Sequence, residues 1–323
     1  MSVCVLKPGV QTTVQDLGRP GHSAIGVPRS GAADDVSLRL GNRLVGNADS
    51  AAGLEMAVLG ALLRFEASAW IVLAGEAEAV VRQADGATSP LVAWQCVEME
   101  PGSQLEVGRI TWGLRAYLCI RGGVDVPRVL GSRSTHVAAA LGGWQGRPIA
   151  VEDVLPVGPA TSGSTPCDKP SRGDVRAFVQ RWVHRDVARV VPGLHADRLP
   201  QEACKRLWSS SWKVLPQSDR MGTRLDGPTL RGAAELGRLP SEGMPPGAVQ
   251  VPPDGRPIVL GPDGPTTGGY PVIANVVTVD QPVVAQWALG ANIGFRAVTL
   301  EEARALFSRR ESELQALVPS QSA

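Results

Sequence analysis

Two stretches of this 323-residue chain carry polar side chains at a density suited to chemistry. The first, over residues 9–47, is GVQTTVQDLGRPGHSAIGVPRSGAADDVSLRLGNRLVGN. The second, over residues 261–286, is GPDGPTTGGYPVIANVVTVDQPVVAQ. Both combine glycine and proline with hydroxyl, amide and charged residues, and such a composition buries little apolar surface. It is typical of shaped loops that present polar groups, so both stretches are candidate parts of a functional site.

The first stretch offers groups that bind an amide or an anion. The side chains of Gln11 and Thr12 can hold an amide or carboxylate, and Arg19 can pair with an anion through two parallel hydrogen bonds. Ser30 precedes a helix start, where free backbone N–H groups suit an anion. Two structural alternatives stand beside these interpretations: Arg19 and Asp16 tie down a turn, and Asp34 is simply a helix N-cap.

The second half of the chain adds two further polar clusters. In PQSDRMGTRLDGP, residues 216–228, Asp219 and Arg220 lie between turn-forming residues, where an internal ion-pair network is the structural alternative. In GPDGPTTGGYP, residues 261–271, Thr266 and Thr267 supply hydroxyls, and Tyr270 supplies a wall or a donor. The paired glycines between them allow close backbone approach to a ligand, with a tight hairpin as the alternative.

Composition excludes several classes of function. The net charge of +1 gives no field that favours nucleic acid or an anionic membrane. No apolar run is long enough to span a bilayer, and the N-terminus lacks the pattern of a signal peptide. Five scattered cysteines fit a reducing compartment, so we expect a cytoplasmic protein. The four histidines have no metal-ligand spacing, and no metal site is predicted.

The common nucleotide and hydrolase motifs are missing from the sequence. It contains no GxxxxGK[ST] phosphate loop and no GxGxxG after a strand. It also contains no GxSxG or HExxH motif. Any function therefore depends on the loops described above.

Apolar and β-branched segments that end in turn signals predict a mainly β fold. Strands are predicted at 63–75, 78–83, 104–110, 115–123 and 186–193. Helices are fewer. Spacing and capping signals predict them at 34–45 and 200–209, and from a capping box formed by Thr299 and Glu302 through Phe307.

The segment TSGSTPCDKPSRGD has the composition of a linker and predicts the domain boundary. The predicted organisation is a first unit at 1–160, a linker at 161–174 and a second unit at 175–323 that ends in the C-terminal helix. We also expect Gln11, Asp34, Asp219 and Thr267, one from each polar loop, to converge on one cleft.

Six segments of the chain together resemble the allophanate hydrolase subunit 2 family, also called the biotin-dependent carboxyltransferase family. These segments are GVQTTVQDLGRPG, GVPRSGAADDVSLRLGNRLVGN, IRGGVDVPRVLGSRST, LPQSDRMGTRLDGP, GAVQVPPDGRPIVL and TTGGYPVIANVVTVD. They occur in the family's order and span about residues 7–304. The family includes the C subunit of 5-oxoprolinase, which this chain resembles most.

The resemblance implies a fold, a reaction and partners. The fold is two tandem cyclophilin-like β-barrel units. The implied activity is ATP-dependent hydrolysis of 5-oxoproline or a related cyclic amide. It requires a subunit-1-type partner, which is similar to the B subunit of 5-oxoprolinase, and a third component of LamB/YcsF type. In this interpretation Arg19 and Arg220 bind the transferred phosphoryl group, and Asp34 is a general base.

Two alternatives follow from the same resemblance. One is a biotin-dependent carboxyltransferase that acts on a urea-like amide, with biotin carried on another protein. The other is a non-catalytic subunit that binds and regulates its partner. Asp263 keeps an acidic residue that is usual before TTGGYP, whereas Gly264 and Pro265 replace the basic residue and glutamine that usually follow it. This departure favours a changed substrate or the non-catalytic alternative.

Overall fold

The computed structural model describes residues 1–160 and 170–320. Two compact units are present: unit 1 contains Met1–Arg19, Ser30–Val179 and the segment from Glu313 onward, and unit 2 contains Pro20–Arg29 and Gln180–Ser312. Most of the predicted linker, 161–169, lies outside the described residues. Its last residues do not form a linker, because a helix begins at Arg172. The compact units are therefore not two consecutive segments of the chain.

Unit 1 is built on one antiparallel sheet of nine strands with two helices. The strands are β1 (Ser2–Lys7), β2 (Gln11–Gln15), β3 (Gly53–Ala57), β4 (Leu62–Phe65), β5 (Ala69–Arg82), β6 (Thr88–Pro90), β7 (Cys96–Met99), β8 (Gln104–Ile120) and β9 (Val154–Pro156). Helix α1 is Asp35–Val45, and helix α2, Arg172–Trp182, begins in this unit. The strand order is β2-β3-β8-β4-β1-β9, and β5 pairs with β6, β7 and β8.

The predicted strands of unit 1 lie at the right positions in the sequence, but the predicted points at which they end are wrong. The segment 63–75 is two strands, because the chain leaves the sheet between Phe65 and Ala69. Conversely, 104–110 and 115–123 form the single strand β8, which continues through Gly113. A glycine with positive φ at 113 is consistent with an irregularity within a long strand rather than with its end.

The two faces of the β2–β3–β8 region have different chemistry. Leu54 of β3 pairs with Val14 and Leu118 on the apolar face, and all three belong to the buried core. The other face carries polar side chains although it too is buried. We call it the polar face; its members are Thr13, Gln15, Glu55, Arg115 and Tyr117.

The observed helix α1 confirms the helix that was predicted at 34–45. Asp34 is its N-cap and Gly46, with φ of +84°, is its C-cap. Val36, Leu40 and Leu44 lie at the predicted apolar spacing and are buried. The N-terminus of α1 lies beside the polar face, because the Asp34 N–H donates to Tyr117 Oη.

Unit 2 contains a closed barrel of seven strands. Its strands are β10 (Val187–Pro192), β11 (Trp212–Val214), β12 (Gly222–Asp226), β14 (Ala248–Gln250), β15 (Ile258–Leu260), β17 (Val272–Val276) and β18 (Asn292–Ala297), while β13 (Glu242–Gly243) pairs with β16 (Thr267–Gly268). Helices α3 (Gln201–Ser209), α4 (Arg231–Glu235) and α5 (Gln281–Gln286) belong to unit 2, in which α6 (Leu300–Leu317) also begins. The prediction of a mainly β fold with few helices is confirmed.

Large apolar side chains fill the interior of the barrel. Trp212, Ile273 and Phe295 are buried in one core cluster. Trp287 packs edge-on against Phe295, with ring centroids 5.8 Å apart. A barrel of this size is filled by side chains, so its binding surfaces lie outside it.

Two predicted helices of unit 2 are confirmed. Helix α3 starts at Gln201, one residue from the predicted start. At α6 the capping box forms as predicted: Glu302 N–H donates to Thr299 Oγ1 at 3.1 Å, and Thr299 N–H donates to Glu302 Oε2 at 2.8 Å.

Acid is expected to weaken unit 1 partly through Asp153. Arg147 donates two hydrogen bonds to this carboxylate, at 2.7 and 2.8 Å, and holds its pKa down at about 2. A lowered pKa in the folded state contributes stability above the unfolded value of about 3.9, and this contribution is lost as the pH falls toward 2. Because Arg147 is partly exposed, we expect only about 1 kcal/mol.

The measurement is urea unfolding between pH 7 and pH 2. Asp153→Asn should lower the free energy of unfolding at pH 7 and flatten its loss between pH 4 and pH 2. Asp85→Asn, in an exposed turn, serves as the control. Equal pH dependence in wild type and Asp153→Asn would contradict the assignment.

Candidate functional site

The polar face of unit 1 is organised around Glu55. In the sheet register Glu55 of β3 lies directly between Thr13 of β2 and Tyr117 of β8. Its Oε2 accepts a hydrogen bond from Tyr117 Oη at 2.8 Å and another from the backbone N–H of Ala33 at 2.8 Å. Arg115 Nε lies 3.4 Å from Glu55 Oε1. A buried carboxylate therefore joins two strands to the segment that precedes α1.

Tyr117 remains protonated in this environment. Burial raises the pKa of its hydroxyl well above 10, and the nearby negative charges of Glu55 and Asp34 raise it further. The hydroxyl donates to Glu55 and accepts a hydrogen bond from the Asp34 backbone N–H at 2.8 Å. Tyr117 thus links the Glu55 carboxylate to the Asp34 backbone without carrying charge.

Asp34 is fully buried and caps α1. Its Oδ1 accepts from Ser37 N–H at 2.9 Å, and its Oδ2 accepts from Ser37 Oγ at 2.6 Å. The structural alternative that the sequence left open, an N-cap, is therefore present.

Asp16 and Arg19 fasten the loop that follows β8. Asp16 accepts hydrogen bonds from Ser132 Oγ at 2.6 Å, from Arg133 N–H at 2.6 Å, and from Ser134 Oγ. Arg19, 1% exposed, donates from Nε to the Val129 carbonyl at 3.3 Å and from Nη2 to the Ser134 carbonyl. Both side chains have the turn-fixing contacts that the sequence left open as an alternative.

Ser30 and Gly31 form a tight, left-handed turn against residues 16–18. Ser30 has φ of +53° and Gly31 has φ of +87°. A Cβ on Gly31 would lie 2.7 Å from Gly18 N, so only glycine fits there. Ser30 Oγ is buried and has no hydrogen-bond partner among the described residues. A strained turn with an unsatisfied hydroxyl is typical of a functional position.

The predicted ligand-binding residues of β2 differ in what they contact. Thr12 is buried on the apolar face, and its Oγ1 donates to the Pro8 carbonyl at 2.6 Å. Gln11 lies half-buried on the other face, beside Ala57 in the register. Gln15, which the sequence analysis did not select, has a buried Oε1 without a partner among the described residues.

In unit 2, two predicted site residues pair with each other. Arg220 donates from Nε to Asp263 Oδ2 at 2.7 Å and from Nη2 to Asp263 Oδ1 at 3.2 Å. Both side chains are 5% exposed. Asp219 is exposed, and its Oδ1 accepts from the N–H groups of Met221 and Gly222 in a turn. The ion pair joins segments that lie 43 residues apart.

The threonines and the tyrosine of the second loop lie at the surface of unit 2. Thr267 is exposed in β16, Tyr270 is half-buried, and Thr266 lines a small cavity of about 30 Å³. A Cβ on Gly269 would lie 2.7 Å from the Leu239 carbonyl oxygen. Because Gly269 has no side chain, the backbone of Leu239 can lie against it.

The structure brings some of the predicted residues together within each unit. In unit 1 they form two clusters, Asp34 with Glu55 and Tyr117, and Arg19 with Asp16. In unit 2 Arg220 joins Asp263. The convergence of residues from both halves in one cleft stays a prediction. Glu55 and Tyr117 escaped the sequence analysis, although a charged residue inside the apolar strand GLEMA was a usable signal.

No metal cluster and no membrane span are found in the described part of the chain. No group of three or more histidine, cysteine, aspartate or glutamate side chains there is placed to hold a metal ion. None of the described helices is long and apolar enough to cross a membrane.

Comparison with known proteins identifies the class to which this fold and these loops belong. A family model described as carboxyltransferase domain, subdomain A and B, matches residues 25–297. The chain belongs to this family, which confirms the resemblance found in the sequence.

Individual relatives share most of the chain. The C subunit of 5-oxoprolinase from Escherichia coli is 39% identical over 300 residues, which cover 93% of this chain and 92% of that protein. The protein of the same name from Haemophilus influenzae is 35% identical over 304 residues, covering 94% and 93%. The crystal structure of Kluyveromyces lactis urea carboxylase matches with a TM-score of 0.88 at 30% identity. That match covers 100% of this chain but 30% of the larger protein.

Proposed function

We propose that this chain is one subunit of an ATP-dependent 5-oxoprolinase-type hydrolase. The observation that carries the proposal is the 39% identity to the C subunit of E. coli 5-oxoprolinase over 92% of that protein. The substrate is 5-oxoproline or a related cyclic amide. The chain acts with a partner similar to the B subunit of 5-oxoprolinase and with a third component of LamB/YcsF type.

The chemical problem in this reaction is the low reactivity of the amide. ATP transfers its γ-phosphoryl group to the amide oxygen and leaves as ADP. Water then adds to the activated carbon, and the ring C–N bond breaks to give an acyl phosphate, which a second water hydrolyses to the carboxylate and inorganic phosphate. The protein must accept a proton from the first water and deliver one to the ring nitrogen. Asp34 is the proposed general base. Its complete burial supports this role, and its backbone N–H joins the Tyr117–Glu55 hydrogen bond.

Arg19 and Arg220 are proposed to support the developing negative charge. Arg19 donates to backbone carbonyls and Arg220 to Asp263, so their strongest contribution is to position the loops that carry them. Gln11, Thr12, Ser30, Asp219, Asp263, Thr266, Thr267 and Tyr270 remain the proposed substrate-binding residues. Of these, Ser30 has the strongest structural support, because its hydroxyl is buried without a partner among the described residues.

A second candidate function is biotin-dependent carboxyl transfer to a urea-like amide. The match to K. lactis urea carboxylase over the full length of this chain supports it. Any biotin would have to be delivered by another protein. We place either complex in the cytoplasm, a proposal supported by the four described cysteines, none of which forms a disulfide.

Activity of the co-expressed complex tests the proposal. We expect 5-oxoproline-dependent release of phosphate from ATP by the complex, and no turnover by the isolated chain. Replacing ATP by a non-hydrolysable analogue should abolish glutamate formation. Carboxylation of urea by a biotin-loaded partner, without lactam hydrolysis, would favour the second function. Robust ATP-dependent hydrolysis by the isolated chain would contradict the subunit role.

A further inference from the structure

Unit 2 contains a groove that is lined by none of the predicted site residues. It has a volume of about 730 Å³ and lies between one face of α6, the end of β17 and the turn at Pro245 and Pro246. We call it the α6 groove. The residues that define its chemistry are Arg29, Pro246, Asn275, Val277, Arg304 and Phe307. This volume suits an organic ligand of drug or nucleotide size, and a small lactam acid would leave most of it empty.

The α6 wall of the groove is an apolar helix face that carries one cation. Leu300, Ala303, Arg304 and Phe307 have the spacing of one helical face, and all four line the groove. Leu300 is 51% exposed and Phe307 is 39% exposed. The Arg310 guanidinium lies 5.1 Å from the centroid of the Phe307 ring and steadies it. This wall offers an aromatic surface beside a positive charge.

The opposite wall includes Asn275, whose amide oxygen is an unsatisfied acceptor. Asn275 of β17 has a buried Oδ1 that has no hydrogen-bond partner among the described residues. A buried acceptor without a donor costs free energy, and a ligand N–H would satisfy it. Val276 and Val277 follow in the chain and also line the groove. The wall therefore favours a flat apolar group with an exocyclic or ring N–H.

The charges of the groove select an anion. Arg29 and Arg304 line it, and no acidic side chain is among the described residues that do so. Glu301 lies three residues before Arg304 on the helix; a backbone hydrogen bond and one from Thr299 lower the pKa of its carboxyl, and the charge of Arg304 lowers it further. Guanidinium groups bind phosphate and carboxylate through directed, charge-assisted hydrogen bonds.

We propose that the α6 groove binds an adenine nucleotide. The adenine amino group donates to Asn275 Oδ1, the base packs against Phe307 and the valines, and the phosphates face Arg29 and Arg304. Asparagine is a well-matched partner for the adenine edge, and aromatic side chains stack on bases. The inference deepens the proposed function, since it places the nucleotide of an ATP-dependent reaction on this chain.

Direct binding of ATP tests the proposal without any need for turnover. Equilibrium dialysis or calorimetry with the purified chain and with the co-expressed complex is expected to show ATP binding that GTP does not match. Asn275→Leu, similar in shape but without the acceptor, should weaken ATP binding at least about tenfold. Arg304→Glu should weaken it at least as much because it reverses a charge.

Arg309→Glu is the matched control. It makes the same change on the same helix outside the residues that line the groove, and it should leave the affinity for ATP unaltered. Because Arg304 is exposed, its variant is expected to fold, which circular dichroism checks. Inorganic phosphate as a competitor reports whether the arginines alone hold the ligand.

The outcomes separate this proposal from the proposed function. ATP binding that is unchanged in Asn275→Leu and Arg304→Glu, or absent from both chain and complex, overturns the groove assignment. If the complex containing both variants hydrolyses 5-oxoproline with an unaltered KM for ATP, the proposed function stands and the groove assignment fails. If both variants weaken ATP binding but the complex hydrolyses no lactam, the groove assignment stands and the proposed function fails.

Discussion

Asp34→Asn is expected to lower the turnover of the assembled complex at least about a hundredfold, the usual loss when a general base is removed. Asparagine keeps an oxygen that can accept the Ser37 N–H, so the N-cap of α1 survives. We expect the free energy of unfolding to change by less than about 1 kcal/mol. The measurement is the steady-state rate of 5-oxoproline hydrolysis beside a urea unfolding curve.

Two further variants are compared with Asp34→Asn in the same assay. If the loops of the first half alone form the site, Thr267→Ala, on the exposed strand β16, should change turnover little, whereas an equal loss from both variants would favour the composite site. Ser37→Ala removes a hydrogen bond to Asp34 Oδ2 but keeps the acid, and its loss of rate should be much smaller than that of Asp34→Asn. Wild-type turnover in Asp34→Asn would leave Asp34 as a helix cap alone.

Arg220→Met is expected to destabilise unit 2 by about 3–5 kcal/mol, because it leaves the buried Asp263 carboxylate unpaired. The double variant Arg220→Met with Asp263→Leu should recover much of this loss, since no buried charge remains. Urea unfolding of the wild type, both single variants and the double variant gives the coupling free energy.

The control for this cycle is an exposed pair in the same unit. Arg256 and Asp226 lie 3.4 Å apart with side chains 52% and 44% exposed. Arg256→Met should cost less than about 1 kcal/mol. A comparably small loss in Arg220→Met would show that the Arg220–Asp263 pair does not stabilise the unit.

Local signals predicted α1, α3 and α6, but not α2, α4 or α5. Asp34 before one apolar face, and Thr299 with Glu302 before another, each specify a helix end through contacts within a few residues. The strands were harder, because whether a chain leaves a sheet depends on its neighbours. Residues 66–68 break a segment that is apolar on both sides, whereas Gly113 lies at an irregularity of β8 but does not end the strand.

Prediction of the candidate site has the same limit, because its contacts join residues that lie far apart in the sequence. The polar loops were recognisable from composition, and Asp34, Arg19, Arg220 and Asp263 were all selected from them. That Arg220 pairs with Asp263 is set by the β12–β15 pairing, which no local pattern specifies. Glu55 and Tyr117 meet only because their strands pair in register, although they are 62 residues apart in the chain.

The order in which the strands of unit 2 pair has a consequence for synthesis of the protein. The barrel closes when β18 pairs with β10, its first strand, and with β11. β18 also supplies Ile293 and Phe295 to the core. Until residue 297 has left the ribosome, β10 and β11 therefore expose unpaired edges.

Unit 1 also needs residues that follow unit 2 in the sequence. Leu314 and Val318 are buried in that unit, and Arg43 of α1 donates to both of their carbonyls. Folding of one domain after another during translation requires each to be complete before the next emerges. Neither unit meets that condition here, so the nascent chain exposes unpaired strand edges and apolar surface until residues 292–318 have been synthesised.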